Sequence, residues 1–359
     1  PYGSGPYGAD RYRERLGPSE RFEREGFIFV FQDVRGKFQS DGVFVNMRPH
    51  VADKRGPQDI DESSDAYDTI AWLLEHVPAH NGKVGVWGNS YPGFYAASAT
   101  IDGHPSLVAA SPQAPIADWW WDDMHRHGAF NLNLSFNFFA TFGQPRPERI
   151  TEWPDRFDHG TPDGYQFFLE LGSLANVDER HFKGDVAFWD EIASHPNYDG
   201  FWQSRSILPH LDGISAAMLV VGGWYDTEDL YGPLRIYAGA DAGNRAADIR
   251  LVIGPWSHGA WIRGAGRALG DEDFGFDSAE GYREDVLFPF FDHHLREGAA
   301  PDLPEALMFE TGADRWRRFD AWPPPEAESR TLYLREDGGL AFDPPEAVAP
   351  AFDDYLSDP

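Results

Sequence analysis

The chain of 359 residues has no cysteine. Disulfide staples, thiolate metal sites and a cysteine nucleophile are therefore excluded. Positive charge is scarce: 30 Lys and Arg stand against 59 Asp and Glu, a formal net charge of -29. Such a surface repels phosphate, so neither nucleic acid nor a membrane is an expected partner. The acid surplus reads as a well-solvated surface, and it permits cationic substrates. No run of 18 apolar residues occurs, so no segment is expected to span a bilayer. The first residue is Pro1, not Met, and the expectation is that the native N-terminus and any export signal are missing. What is plentiful is aromatic side chain, at 15% with 13 Trp and 27 Phe. Most of these rings are expected in the core, and some in a binding cleft.

One segment carries most of the chemical information. Lys83-Val84-Gly85-Val86-Trp87-Gly88-Asn89-Ser90-Tyr91-Pro92-Gly93-Phe94-Tyr95 reads as a buried strand, a glycine-flanked serine and then a helix. A serine on a sharp strand-to-helix turn is how an α/β-hydrolase presents its nucleophile. The helix behind it would aim free N–H groups and the positive end of its dipole at a forming oxyanion. Pro92 replaces the second glycine of the usual G-x-S-x-G pattern, and a serine between glycines is also an ordinary turn.

Two later segments decide between these readings. Ala217 to Asp226 is an apolar run ending on an acid, and Ile249 to His258 is an apolar run ending on a histidine. Short continuous apolar runs bounded by Gly and Pro suit central parallel strands. Residues just past the carboxyl ends of such strands gather in one crevice. The chain order Ser90, Asp226, His258 is that of the α/β-hydrolases. A serine hydroxyl is a weak nucleophile at neutral pH, so a histidine must take its proton. A buried aspartate sets the tautomer of that histidine and stabilises the imidazolium. Each residue alone has a bland explanation as a turn serine, strand-end acid or loop histidine; the ordered set is what points to catalysis.

The organisation follows from the same pattern. Residues 1 to about 20 are a Gly-, Pro- and Tyr-rich loop, and Phe27 to Phe31 reads as a buried strand. Ile60 to Val77 has helical spacing that Pro78 stops. The first part of the hydrolase domain is expected over 1–118. A helical, aromatic cap follows over 119–210, because an insertion of that size in a parallel sheet lies over the crevice. The second part of the hydrolase domain spans 211–300. From 301 to 359 strand signals separated by Pro-rich turns predict the start of a β domain that is cut short.

These residues resemble the bacterial α-amino acid ester hydrolases (β-lactam antibiotic acylases), within the wider group of cocaine esterase, glutaryl-cephalosporin acylase and X-Pro dipeptidyl-peptidase. The likeness is carried by Pro1-Tyr2, Phe31-Gln32-Asp33-Val34-Arg35-Gly36-Lys37, Ser90-Tyr91-Pro92-Gly93-Phe94, Asp122-Asp123, Trp224-Tyr225-Asp226-Thr227-Glu228-Asp229, Gly254-Pro255-Trp256-Ser257-His258 and Phe288-Pro289-Phe290-Phe291-Asp292. It implies an α/β-hydrolase fold with a helical cap and a C-terminal jelly roll, and a serine hydrolase that cleaves or transfers the acyl group of esters and amides. It implies Ser90, Asp226 and His258 as the triad, and a small-molecule substrate with no cofactor and no metal. The oxyanion hole would join the Tyr91 N–H to the hydroxyl of Tyr2, although Pro6-Tyr7 repeats the motif. A carboxylate cluster of Asp123 (or Asp122), Glu228 and Asp229 would bind the α-ammonium of the substrate. Members of the group are often exported to the periplasm or secreted, and often homo-oligomeric. Met124-His125-Arg126-His127 departs from the aromatic residues common there, and Arg126 stands near enough in sequence to pair with Asp123.

Other readings compete. Within the hydrolases, a general carboxylesterase or X-Pro dipeptidyl-peptidase-like enzyme would lack ammonium selectivity. A metal-dependent hydrolase would use Asp122, Asp123, His125, His127, Glu228 and Asp229, but neither an H-E-x-x-H nor an EF-hand loop is present. A glycosidase would pair Asp226 with Glu228 and leave the serine turn without a purpose. A non-catalytic binding protein would have no need of an intact Ser90, Asp226 and His258.

Overall fold

The computed structural model describes residues 16–346 and, beyond them, Phe352, Asp354 and Leu356. Its centre is a six-stranded sheet: β1 (Val84–Asn89), β2 (Leu107–Gln113), β3 (Ala217–Gly223), β4 (Ile249–Gly254), β5 (Ala306–Glu310) and β6 (Arg315–Phe319), adjacent in that order. The first five strands run parallel, and β6 returns antiparallel to β5. The apolar runs follow from burial on both faces. In β3, Met218 and Val220 enter one core cluster while Ala217, Leu219 and Val221 enter the other. In β4, Leu251 and Ile253 face the first cluster and Val252 the second.

Register aligns the functional ends of the strands. Asn89 pairs with Gln113, Gln113 with Val221, and Gly223 with Gly254. The segments leaving β1, β3 and β4 therefore emerge along one edge, which is where open parallel sheets build their sites. Helix α1 (Glu62–His76) starts at Asp61, whose carboxylate accepts the Ser64 N–H while the Ser64 hydroxyl accepts the Asp61 N–H. It ends before Pro78, which holds Val77 extended. Helix α2 (Tyr91–Ser98) follows β1 directly and buries Phe94, Ala96 and Ala97.

Between Trp119 and His210 the chain holds α3 (Leu132–Thr141), α4 (Gly164–Leu171), α5 (Ala187–Ser194) and shorter turns, with a two-residue hairpin as its sole pairing among the described residues. Aromatic side chains fill this region: Phe136, Phe139, Trp189 and Trp202 are all buried. Two helices flank the later strands, α6 (Tyr231–Gly243) after β3 and α7 (Phe288–Arg296), whose Phe290 and Phe291 are buried. No helix among the described residues is long and apolar enough to cross a membrane.

Two expectations are corrected. Phe27 to Phe31 forms no strand, and Ile28 and Val30 are half exposed. The segment is separated from β1 by an apolar groove of about 600 Å³ lined by Phe27, Phe29, Leu74, Val84 and Val86. A ladder needs a neighbour about 4.8 Å away, and across that groove none forms. The division at residue 301 also fails. β5 and β6 belong to the central sheet, because Ala306, Met308 and Phe309 are buried and continue the parallel ladder from β4. Beyond them the described residues pair once more, Tyr333–Leu334 with Leu340–Ala341.

Candidate active site

Ser90 occupies the turn between β1 and α2 with φ 67° and ψ -130°, a strained conformation for a residue with a side chain. Its N–H donates to the Gln113 carbonyl at 2.9 Å, and its carbonyl accepts from the Gly93 N–H at 2.7 Å. Gly93 must lack a side chain, since a Cβ there would lie 2.4 Å from the Gln113 carbonyl oxygen. Local close packing thus holds the serine at the carboxyl end of β1. Tyr91 is buried, and its hydroxyl accepts the Met47 N–H at 2.6 Å. Its backbone opens the first turn of α2.

Asp226 leaves β3 in a turn and is buried. One carboxylate oxygen accepts the N–H groups of Glu228 at 2.8 Å and Asp229 at 2.9 Å. The other lies 2.9 Å from Nδ1 of His258. Burial pushes the Asp226 carboxyl up, but the His258 hydrogen bond and charge and the two N–H donors outweigh it and hold it below its ordinary value. His258 shows the converse. Burial pushes its imidazole down, while the Asp226 hydrogen bond and the negative charges of Asp226, Glu228 and Asp123 raise it above 6.5. The loop carrying His258 abuts the serine turn: a Cβ built on Gly259 would lie 3.0 Å from the side-chain nitrogen of Asn89.

Acids surround this histidine. Glu228 Oε2 is 3.6 Å from His258 Nε2, and Asp229 Oδ2 is 3.8 Å from Nδ1. Asp229 is fully buried, and neither of its oxygens accepts a hydrogen bond from a described residue. Burial and the charges of Asp123, Asp122, Asp226 and Glu228 push its carboxyl well up. Asp123 is likewise raised, first by burial and then by Asp122 and Glu228, and its Oδ2 has no hydrogen-bond partner among the described residues. Asp122 differs from both. Its two oxygens accept the N–H groups of Gly232 at 2.7 Å, Ala117 at 2.8 Å and Asp118 at 3.1 Å. Burial still pushes it to about 7 against those donors. Both acids sit on a wide π-helical turn, Trp120–Met124, that follows β2.

The metal-hydrolase set disperses. His125 is stacked on Trp120 at 3.7 Å, and burial lowers it to about 4. His127 packs edge-on against Trp121. Arg126 forms no ion pair among the described residues and lies in the two-residue hairpin opposite Ala129. Glu228, Asp229 and His258 do converge, with one donor atom from each all within 4.8 Å of the others. Tyr2 and Tyr7 lie outside the described residues.

Sequence reasoning missed an aromatic wall beside the acids. Trp121 stacks with Tyr231 at 6.1 Å and meets Tyr198 edge-on at 5.9 Å. The Tyr198 hydroxyl donates to Asp118 Oδ2 at 2.5 Å. The Trp119-Trp120-Trp121 run was a visible signal of this wall, but Tyr198 and Tyr231 come from distant turns that nothing in the sequence connects to it.

The strained serine turn, the parallel sheet and the crevice at its carboxyl edge define the class of fold, that of the α/β-hydrolases. The chain belongs to the X-Pro dipeptidyl-peptidase (S15) family, whose model matches residues 1–260. It is 31% identical to cocaine esterase of Rhodococcus sp. (strain MB1 Bresler), over 94% of this chain and 58% of that protein. Among solved structures it is similar to an α-amino acid ester hydrolase (35% identity, TM-score 0.82, 92% of this chain and 54% of the other). It is similar to the same degree to an aminopeptidase of a marine sediment Thaumarchaeota archaeon (34% identity, TM-score 0.82, 91% and 53%). The chain thus spans little more than half the length of these relatives.

Proposed function

We propose that the protein hydrolyses, or transfers the acyl group of, esters and amides of α-amino acids bearing a free ammonium. Ser90 Oγ attacks the carbonyl carbon as His258 Nε2 takes its proton. Asp226, bonded to Nδ1, fixes the tautomer and stabilises the imidazolium. The Tyr91 N–H and the Tyr2 hydroxyl stabilise the oxyanion, whose charge develops only on the way to the tetrahedral intermediate. The imidazolium then protonates the departing alkoxide or amine, leaving an acyl-serine. Water, deprotonated by the same imidazole, releases the acid; an amine in place of water gives transfer.

The observation that carries the ammonium reading is the set of acids around His258, above all Glu228 Oε2 at 3.6 Å from the nitrogen that moves the proton. An α-ammonium nitrogen lies about 2.5 Å from its own carbonyl carbon, whereas the N-terminal nitrogen of a dipeptide lies about one residue length further, roughly 6 Å. Acids this close to the proton-transferring nitrogen suit a single amino-acyl group. One oxygen of Asp123 and both oxygens of Asp229 lack hydrogen-bond donors among the described residues, and a cation in their midst relieves the repulsion among these acids. The aminopeptidase and ester-hydrolase names of the two similar structures accord with this reading.

The test compares phenylglycine methyl ester with its des-amino analogue. The amine is expected to raise kcat/KM at least tens-fold, about 2 kcal/mol, and Glu228→Ala should remove most of that advantage. Equal rates for the two esters would discard the ammonium assignment and leave a general carboxylesterase.

A further inference from the structure

We propose that Glu228, Asp229 and His258 form a binding site for one divalent transition-metal ion, of which Zn²⁺ fits best, and that this ion acts as a reversible inhibitor of the enzyme. The three donors are one imidazole nitrogen and two carboxylates, all within 4.8 Å of one another. With metal–ligand bonds of about 2.1 Å, the 3.6 Å between His258 Nε2 and Glu228 Oε2 subtends roughly 120° at a shared ion, near the tetrahedral preference of zinc. Asp229, with a carboxylate oxygen within 4.8 Å of the other two donors, is the third ligand, and a tetrahedral ion keeps a fourth position for water.

An independent observation points to a cation. Asp229 is fully buried, and neither oxygen accepts a hydrogen bond from a described residue. Buried polar atoms are normally satisfied, and one left bare calls for a missing partner. The donor set selects the kind of ion. An imidazole ligand suits zinc, whereas calcium and magnesium take oxygen alone. Asp226 completes the pattern from behind. It holds Nδ1 of His258 at 2.9 Å, so the ring turns Nε2 toward Glu228, as in a carboxylate–histidine–zinc arrangement. Glu228 is one-third exposed and gives the ion a way in.

Binding rests on this geometry alone. Inhibition rests on the role of His258 proposed above: a metal bonded to Nε2 occupies the lone pair that must accept the serine proton. The ion would also occupy the carboxylates assigned to the substrate ammonium, so the two cations compete.

Chelator-treated protein is titrated with ZnCl₂ by calorimetry and with CoCl₂ by visible absorption, using the wild type and Ser90→Ala. One ion per chain is expected in both proteins, with the Co²⁺ bands of a low-coordinate site. Glu228→Gln and Asp229→Asn should each weaken binding at least about tenfold. If Asp229→Asn does not fold, the partly exposed Glu228 carries the comparison. Saturable binding by Ser90→Ala supports the site whatever becomes of the serine mechanism. In the wild type, ester turnover should fall in step with occupancy, recover with chelator, and resist zinc better at high amine concentration. Absence of Co²⁺ bands and saturable heat, affinity indifferent to both substitutions, or turnover unaffected at full occupancy would overturn the proposal.

Discussion

Asp122 and Asp123 are adjacent in the chain, yet their carboxylates do opposite things. Asp122 accepts three backbone N–H groups, including that of Gly232, 110 residues away. Asp123 leaves one oxygen without a partner among the described residues and feels the charges of Glu228 and His258. The first ties the turn after β2 to the start of α6. The second belongs to the acid cluster.

That division predicts a split between two isosteric variants. Asp122→Asn places an amide N–H against backbone donors and should cost about 2 kcal/mol of stability, read from urea unfolding. Asp123→Asn should unfold near the wild-type midpoint but lose most of the preference for an amino ester over its des-amino analogue. The opposite pattern would exchange the roles of the two residues.

The acids around His258 also set a pH limb. In the proposed mechanism the neutral imidazole accepts the serine proton, and the His258 imidazole is raised above its ordinary value of 6.5. The acidic limb of kcat/KM is therefore expected above pH 6.5. Glu228→Gln removes one negative charge beside Nε2, so the limb should move to lower pH. A des-amino ester is the right substrate, since its own charge does not titrate. A limb that moves to higher pH contradicts the assignment.

The carboxyls of Asp123 and Asp229 are both pushed well up, first by burial and then by neighbouring acids, Asp122 and Glu228 for Asp123 and Asp123 and Asp122 for Asp229. A bound ammonium favours their charged forms, so its binding should expel protons. Phenylglycinamide titrated into Ser90→Ala protein, in two buffers of different ionisation enthalpy, would show this as a buffer-dependent heat with the sign of proton release. Identical heats in both buffers would count against the cluster as the cation site.

Close approach of backbones at α6 is testable through stability. A Cβ on Gly232 would lie 1.8 Å from the Pro115 carbonyl oxygen, while one on Gly164, at the start of α4, meets nothing within 4 Å. Gly232→Ala should destabilise by about 3 kcal/mol and displace the N–H that Asp122 accepts. Gly164→Ala should be neutral or stabilise by up to about 1 kcal/mol. Unfolding midpoints in urea compare the two directly.

Much of this molecule could be read along the chain because the signals are local. A buried parallel strand is a continuous apolar run, and β1, β3 and β4 each end within a few residues before Ser90, Asp226 and His258. The helix ending before Pro78 was equally plain. The strand expected at Phe27 to Phe31 was not formed, because apolar composition expresses a tendency and a ladder needs a partner at the right distance. The boundary expected at residue 301 failed for a related reason: Leu307-Met308-Phe309 looks the same whether it opens a new domain or extends an old sheet, and only pairing with β4 decides.

Residue types and their order along the chain determined which chemistry is available: a serine on a tight turn, an acid and a histidine after later strands, and a surplus of carboxylates. Tertiary structure alone decided which carboxylate is consumed by backbone N–H groups and which faces the imidazole. That choice depends on donors from Ala117, Asp118 and Gly232 brought together by folding, and a carboxylate's hydrogen bonding and charge state are properties of its surroundings.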